Sequence, residues 1–149
     1  MLDDLLIEDK PRFLALEGSN GVAMELDGNP VGLYVVSVFH PTVRAKQHKI
    51  QNDRVSKVAK SSKAMVKSEQ VEAENIDTLA TCITGIQNLQ VNSDELKEYF
   101  TKAGATFDDK NCLIYSHAAA VRLLKRFHGI RAQVDDFVGD ESNFLKQTS

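Results

Sequence analysis

The sequence predicts a mainly α protein of α+β class, in which a small N-terminal β-hairpin precedes a bundle of four or five helices. Three observations lead there. Alternating, β-branched and aromatic residues concentrate before position 41, apolar residues at helical spacing recur after it, and cap or turn residues divide the second part into separate helices. A length of 149 residues, 42% hydrophobic and 26% charged, suits one compact unit built from two regions. Residues 1–41 make the hairpin region. Residues 42–149 make the helical domain, comprising a basic helix (42–67), a short linker (about 68–72) and a helical core (73–149).

Each element has its own signal. In 22–27, Val22, Met24 and Leu26 alternate with Ala23, Glu25 and Asp27, the period of a half-buried strand. The run Asp27-Gly28-Asn29-Pro30 supplies turn residues, and 33–39 (LYVVSVF) is rich in strand formers, so these two runs are expected to pair, with 13–16 as a possible third strand. Pro41 closes the last strand and suits the first position of a helix. The helix after it is thinly apolar, with Val43, Ile50, Val55 and Val58 only. Ile76, Leu79, Ala80 and Ile83 fall at i, i+3, i+4 and i+7, with Ile86 extending the face, which predicts a core helix stopping near Gly85. Ser93 before Asp94 and Glu95 is an N-cap signature, and Gly104 is placed to end that helix, whose Leu96, Tyr99 and Phe100 face inward. Residues 115–130 predict a further helix burying Ala120, Val121, Leu124 and Phe127, broken at His128-Gly129 before a closing helix.

That closing stretch, IRAQVDDFVGDESNFLKQ, carries a stripe of Ile130, Val134, Phe137, Val138, Phe144 and Leu145. Two readings are open: the stripe docks on the protein's own core, or it is a face for a partner. Gly139 in its middle suggests a hinge, since glycine costs a helix interior about 1 kcal/mol relative to alanine.

The net charge of −3 conceals a split. Arg44, Lys46, Lys49, Arg54, Lys57, Lys60, Lys63 and Lys67 face the single acid Asp53, whereas Glu69, Glu72, Glu74 and Asp77 follow at once. The eight cations have three readings: a solvated face, a contact for an acidic protein or neighbouring subunit, or a sequence-blind phosphate-binding helix. The last lacks aromatic interleaving and a second basic element, so nucleic acid is the less favoured partner.

Catalytic chemistry is not expected. His40, His48, His117 and His128 have no metal-ligand spacing, 18–21 (GSNG) lacks a phosphate-binding lysine, and the adjacent acids Asp135 and Asp136 point to different helix faces. Cys82 and Cys112 are expected as reduced packing residues. The acidic N-terminus lacks the positive region of a secretory leader, and no apolar run approaches a membrane span.

A resemblance covers most of the chain, loosely before residue 75 and more closely after it. Ile83, Thr84, Gly85, Asn88 and Leu89, then Ile130, Gln133, Val134, Phe137, Asp140, Asn143, Phe144 and Leu145, match patterns of the tail assembly chaperones of long-tailed bacteriophages. The chain departs from that pattern at Ile86, where the family usually has tryptophan, and in loop 101–116, which lacks the expected proline-and-phenylalanine phrase. The resemblance implies a non-catalytic protein of the host cytoplasm, absent from the finished virion and needing no cofactor. Such proteins bind the tape measure protein and help recruit tail tube subunits. The charge split adds an expectation of head-to-tail homo-oligomers. Two alternatives are a nucleic-acid-binding accessory protein using 44–67 and a structural head–tail completion protein.

Overall fold

A computed structural model describes residues 2–60 and 68–146, with the helical backbone alone for residues 56–60. In chain order it holds β1 (Arg12–Ala15), β2 (Glu25–Leu26), β3 (Asn29–Pro30), β4 (Gly32–Val35), α1 (Pro41–Lys60), α2 (Ser68–Cys82), β5 (Ile83–Gln87), α3 (Asp94–Thr101), α4 (His117–Arg126) and α5 (His128–Val138). Short 3-10 turns at Leu2–Leu5 and Glu141–Phe144 flank this set. Among the described residues the class is α+β with five helices, and the sheets are small.

The strands are arranged differently from the expected hairpin. Three of them form an antiparallel sheet in the order β1-β4-β5, with Leu14 opposite Leu33 and Leu33 opposite Ile86. The 13–16 stretch is therefore a principal partner of β4. The 22–27 run contributes only the two-residue β2, paired with β3. Between them Asp27 and Gly28 both take positive φ (53° and 80°), the backbone a tight two-residue hairpin demands and one that Asp-Gly adopts readily. This ribbon is continuous with β1 through hydrogen bonds from Leu16 N to Val31 O and from Met24 N to Leu16 O.

The largest revision concerns 83–87. The apolar spacing of α2 runs on into Ile83 and Ile86, yet the helix stops at Cys82 and the next five residues become the third strand. Ile83, Thr84 and Ile86 are β-branched, and the sheet edge offered by β4 satisfies their backbone groups. The supposed linker at 68–72 is the first turn and more of α2. α1 begins at Pro41 as expected; residues 61–67 of the proposed basic helix lie outside the described residues. Ser93 caps α3 and Ser116 caps α4, each hydroxyl accepting from the backbone N–H three residues on. The break between α4 and α5 falls at Phe127, with extended φ and ψ of −111° and 91°, and His128-Gly129 start the next helix.

One core joins the two regions. Leu16, Leu33, Val35 and Ile83 from the sheet are 0–1% exposed and share a cluster with Leu124, Val134, Val138 and Phe144 from the helices. Buried residues of the hairpin region and of the helical domain thus belong to one cluster.

Candidate binding cleft

The closing stripe is divided by the fold. Val134, Val138 and Phe144 are 0% exposed, and Ile130 and Phe137 are half-buried against the same core. As a single partner-binding face the six residues are therefore corrected: α5 ends at Val138, and Phe144 and Leu145 return from a 3-10 turn to cover it. Phe144 meets Phe137 edge to face, with centroids 5.5 Å apart. Gly139 is the helix stop, not a mid-helix hinge; Asp140 then accepts from Ser142 N, and Asn143 Nδ2 donates to Phe137 O. Asp140's carboxyl is held below its usual value by Ser142, whose hydroxyl and backbone N–H both donate to it. Leu145 is half-buried and its backbone pairs with Ile7.

The charge split is partly satisfied within the chain. Lys46 of α1 meets Asp77 of α2 at 2.8 Å, and Arg54 pairs with Glu74. Arg44 and Lys49 are exposed. The side chains of Lys57 and Lys60, and all of Lys63 and Lys67, lie outside what the structure describes. The helix that was to meet a neighbour's acids thus spends two of its cations on its own α2. His117 joins them, its Nε2 2.7 Å from the other oxygen of Asp77.

What the fold builds instead is a cleft of about 540 Å³ at the end of the molecule where α4 turns into α5. Five separated segments line it. Leu89 and Val91 follow β5, Leu96 and Phe100 come from α3, and Leu123 from α4; Phe127 and Ile130 flank the α4–α5 break, and Met24 overhangs from the β2 side. Leu89, Val91, Phe100 and Leu123 are buried and form the floor, while Leu96, Phe127 and Ile130 are half-exposed walls. Glu17, Gln90, Arg126, His128 and Gln133 supply the polar rim. Of the stripe, Ile130 alone reaches this cleft.

The rim carries one acid, Glu17, and one permanent cation, Arg126, and more cations lie behind it. Between residues 117 and 134 the chain has Arg122, Lys125, Arg126 and Arg131 and no acid. The guanidinium groups of Arg122 and Arg126 lie 4.9 and 5.8 Å from the Tyr99 ring centre, and Arg126 is 3.4 Å from exposed Glu95. Arg131 is tied to Glu72 at 2.9 Å, and its hydrogen bond and charge hold the Glu72 carboxyl below its usual value. A second hollow, of about 700 Å³ between α2 and α5, is lined by polar and apolar groups alike and includes this ion pair in its lining.

An apolar floor with half-exposed walls and a few polar groups at the mouth is suited to receive an apolar ridge, such as one face of a helix. Among the described residues no three His, Cys, Asp or Glu side chains come together as metal ligands, and no helix is long and apolar enough to cross a membrane. Both cysteines are free and buried; burial pushes the Cys82 thiol up to about 12 and raises that of Cys112. Sequence reasoning placed Leu96 and Phe127 facing inward but did not identify the cleft, because its lining is contributed by segments far apart in the chain. The chain matches no known family model, no curated protein and no solved structure.

Proposed function

We propose that the protein is a non-catalytic tail assembly chaperone of a long-tailed bacteriophage, acting in the host cytoplasm. In this reading it shelters apolar helical segments of the tape measure protein and helps bring tail tube subunits to them. Two lines support it: the pattern shared with that family across 83–89 and 130–145, and an open apolar cleft. The cleft carries the reading. A rod-like client exposes apolar helical stripes before assembly, and these aggregate unless covered. A helix laid in the cleft would set its apolar residues on Leu96, Phe127 and Ile130.

The shared pattern also acquires a physical meaning. A Cβ added at Gly85 would lie 3.3 Å from the Tyr34 ring, Asn88 turns the chain at φ 57° while its Nδ2 donates to Pro30 O, and Leu89 enters the cleft floor. In the second block, Gln133, Val134, Phe137, Asp140, Asn143 and Phe144 hold the closing helix in place. Of the two blocks, Leu89, Ile130 and Gln133 line the cleft, and the other residues support the elements behind it.

Peptides tiling the tape measure protein, titrated against the chain by fluorescence anisotropy, test the reading. At least one amphipathic segment should bind. Leu96→Glu and Ile130→Glu should each weaken it about tenfold, equivalent to about 1.4 kcal/mol. No binding by any segment at about 100 µM, some 7 kcal/mol weaker than a nanomolar contact, would rule out the cleft as the client site.

A further inference from the structure

We infer that the outer edge of β1 pairs with the same edge of a second copy of this chain, joining their sheets into one. β1 is an edge strand of the sheet β1-β4-β5. Leu16 N donates to Val31 O, so in this register Arg12, Leu14 and Leu16 turn their backbone groups toward β4. Phe13, Ala15 and Glu17, which alternate with them, turn theirs outward. Gln133 already holds both groups of Glu17. Among the described residues, the outward N–H and C=O of Phe13 and Ala15 have no such partner. They open onto a hollow of about 330 Å³ between β1 and α5, to which the strand contributes Leu14, Ala15 and Glu17. Ala15 is exposed, so the edge is open to approach.

The free groups identify the occupant as a second copy. A two-fold axis at Leu14 sets Phe13 opposite Ala15 of the other copy and Ala15 opposite its Phe13. Each facing pair exchanges two hydrogen bonds, so every free group on both strands is satisfied. The next outward position is closed in both directions: Pro11 has no N–H, and Glu17 is taken by Gln133. The pairing therefore has a single register and stops at two copies. Charge agrees with it. Glu17, Asp136 and Asp140 line the hollow and no cation does. The same register carries Lys10, exposed and without an ion pair among the described residues, toward Gly18 and Glu17 of the other copy. β5, the opposite edge, has its register shifted beside Tyr34 and Val35, an irregularity that blunts it as a template.

Sedimentation of the full chain from about 5 to 500 µM tests this, a range suited to a small, weak contact. The cleft and its client take no part, so the result is independent of the chaperone reading. The wild-type chain should pass from monomer to dimer with rising concentration and form nothing larger. Ala15→Pro removes an outward N–H at an edge position, where a strand tolerates proline. It should weaken the dimer at least about tenfold while keeping the native circular dichroism. Lys10→Glu, at an exposed position, should weaken it too and reads the contact apart from any effect of proline on folding. The Phe13 and Ala15 amides should exchange hydrogen more slowly in the concentrated wild-type chain than in the dilute one. A monomer at every concentration, a dimer indifferent to Ala15→Pro or to Lys10→Glu, assembly beyond two copies, or edge amides that exchange equally fast throughout would each overturn the inference.

Discussion

Gln133 grips the backbone of Glu17 as a neighbouring strand would: its Oε1 accepts from Glu17 N at 2.7 Å and its Nε2 donates to Glu17 O at 3.0 Å. The two residues lie 116 positions apart. This one side chain fastens the end of the β1 segment to α5, at the rim of the cleft. Gln133→Ala should cost about 1–2 kcal/mol in urea unfolding, from two hydrogen bonds worth about 1 kcal/mol each. Alanine is the better helix former, so a clasp of no consequence would leave the protein equal or slightly more stable.

Phe144 distinguishes the two readings of the closing stripe. It is fully buried and stacked edge to face on Phe137, so Phe144→Ala should lower stability by about 3–5 kcal/mol. A partner-facing residue would lose binding with little change in melting temperature. Calorimetry of the isolated chain separates these, and a loss under about 1 kcal/mol would return Phe144 to the surface.

These contacts indicate which parts of the fold were readable. Ser93 and its acids announced α3 because a cap is local chemistry, complete within four residues. Pro41 announced α1 for the same reason. The strand at 83–87 was hidden, since Ile76, Leu79, Ala80 and Ile83 satisfy a helical period through its first residue. What ends the helix is β4, some fifty residues upstream, and no local signal contains it. The stripe misled in the same way. Val138 and Phe144 share a period on paper, but a helix stop at Gly139 lies between them. The charge split suggested contact with a partner or a neighbouring subunit; Lys46 with Asp77 and Arg54 with Glu74 spend part of that charge inside the chain. The cleft, built from five segments, had no linear signature at all.

Gly32 sits where β4 passes under β1. A Cβ added there would lie 2.3 Å from Leu14 O and 2.5 Å from the Phe13 ring, closer than atoms can approach. Phe13 is itself held edge to face on Tyr34 at 5.2 Å, which limits its retreat. The backbone oxygen has less freedom still, because β1 is paired along its length with β4. Gly32→Ala should therefore destabilise by about 1–3 kcal/mol through overpacking, even though alanine is ordinarily the better residue in a strand. Unfolding midpoints of the two chains would decide it, and an unchanged midpoint would mean the strands separate more easily than this packing allows.

Asp77 links three helices, with Lys46 of α1 at 2.8 Å on one oxygen and His117 of α4 at 2.7 Å on the other. Partial burial acts to raise its carboxyl pKa, but hydrogen bonds and charge from Lys46 and His117 together outweigh that, and the net shift is downward from the ordinary 3.8. A carboxyl lowered in the folded state binds fewer protons there than in the unfolded chain. Its contribution is thus fully present above the ordinary value and fades as pH falls through the lowered one. The sites are a third to a half exposed, so screening keeps the whole cluster near 1 kcal/mol at neutral pH. Asp77→Asn should then be about 1 kcal/mol less stable than the wild-type chain at pH 7, with the gap closing in acid below the ordinary carboxyl range. Urea unfolding at a series of pH values from neutral downward measures the gap directly. A difference that stays constant into strong acid would assign the loss to packing at the α1–α2–α4 junction, and not to the charge on Asp77.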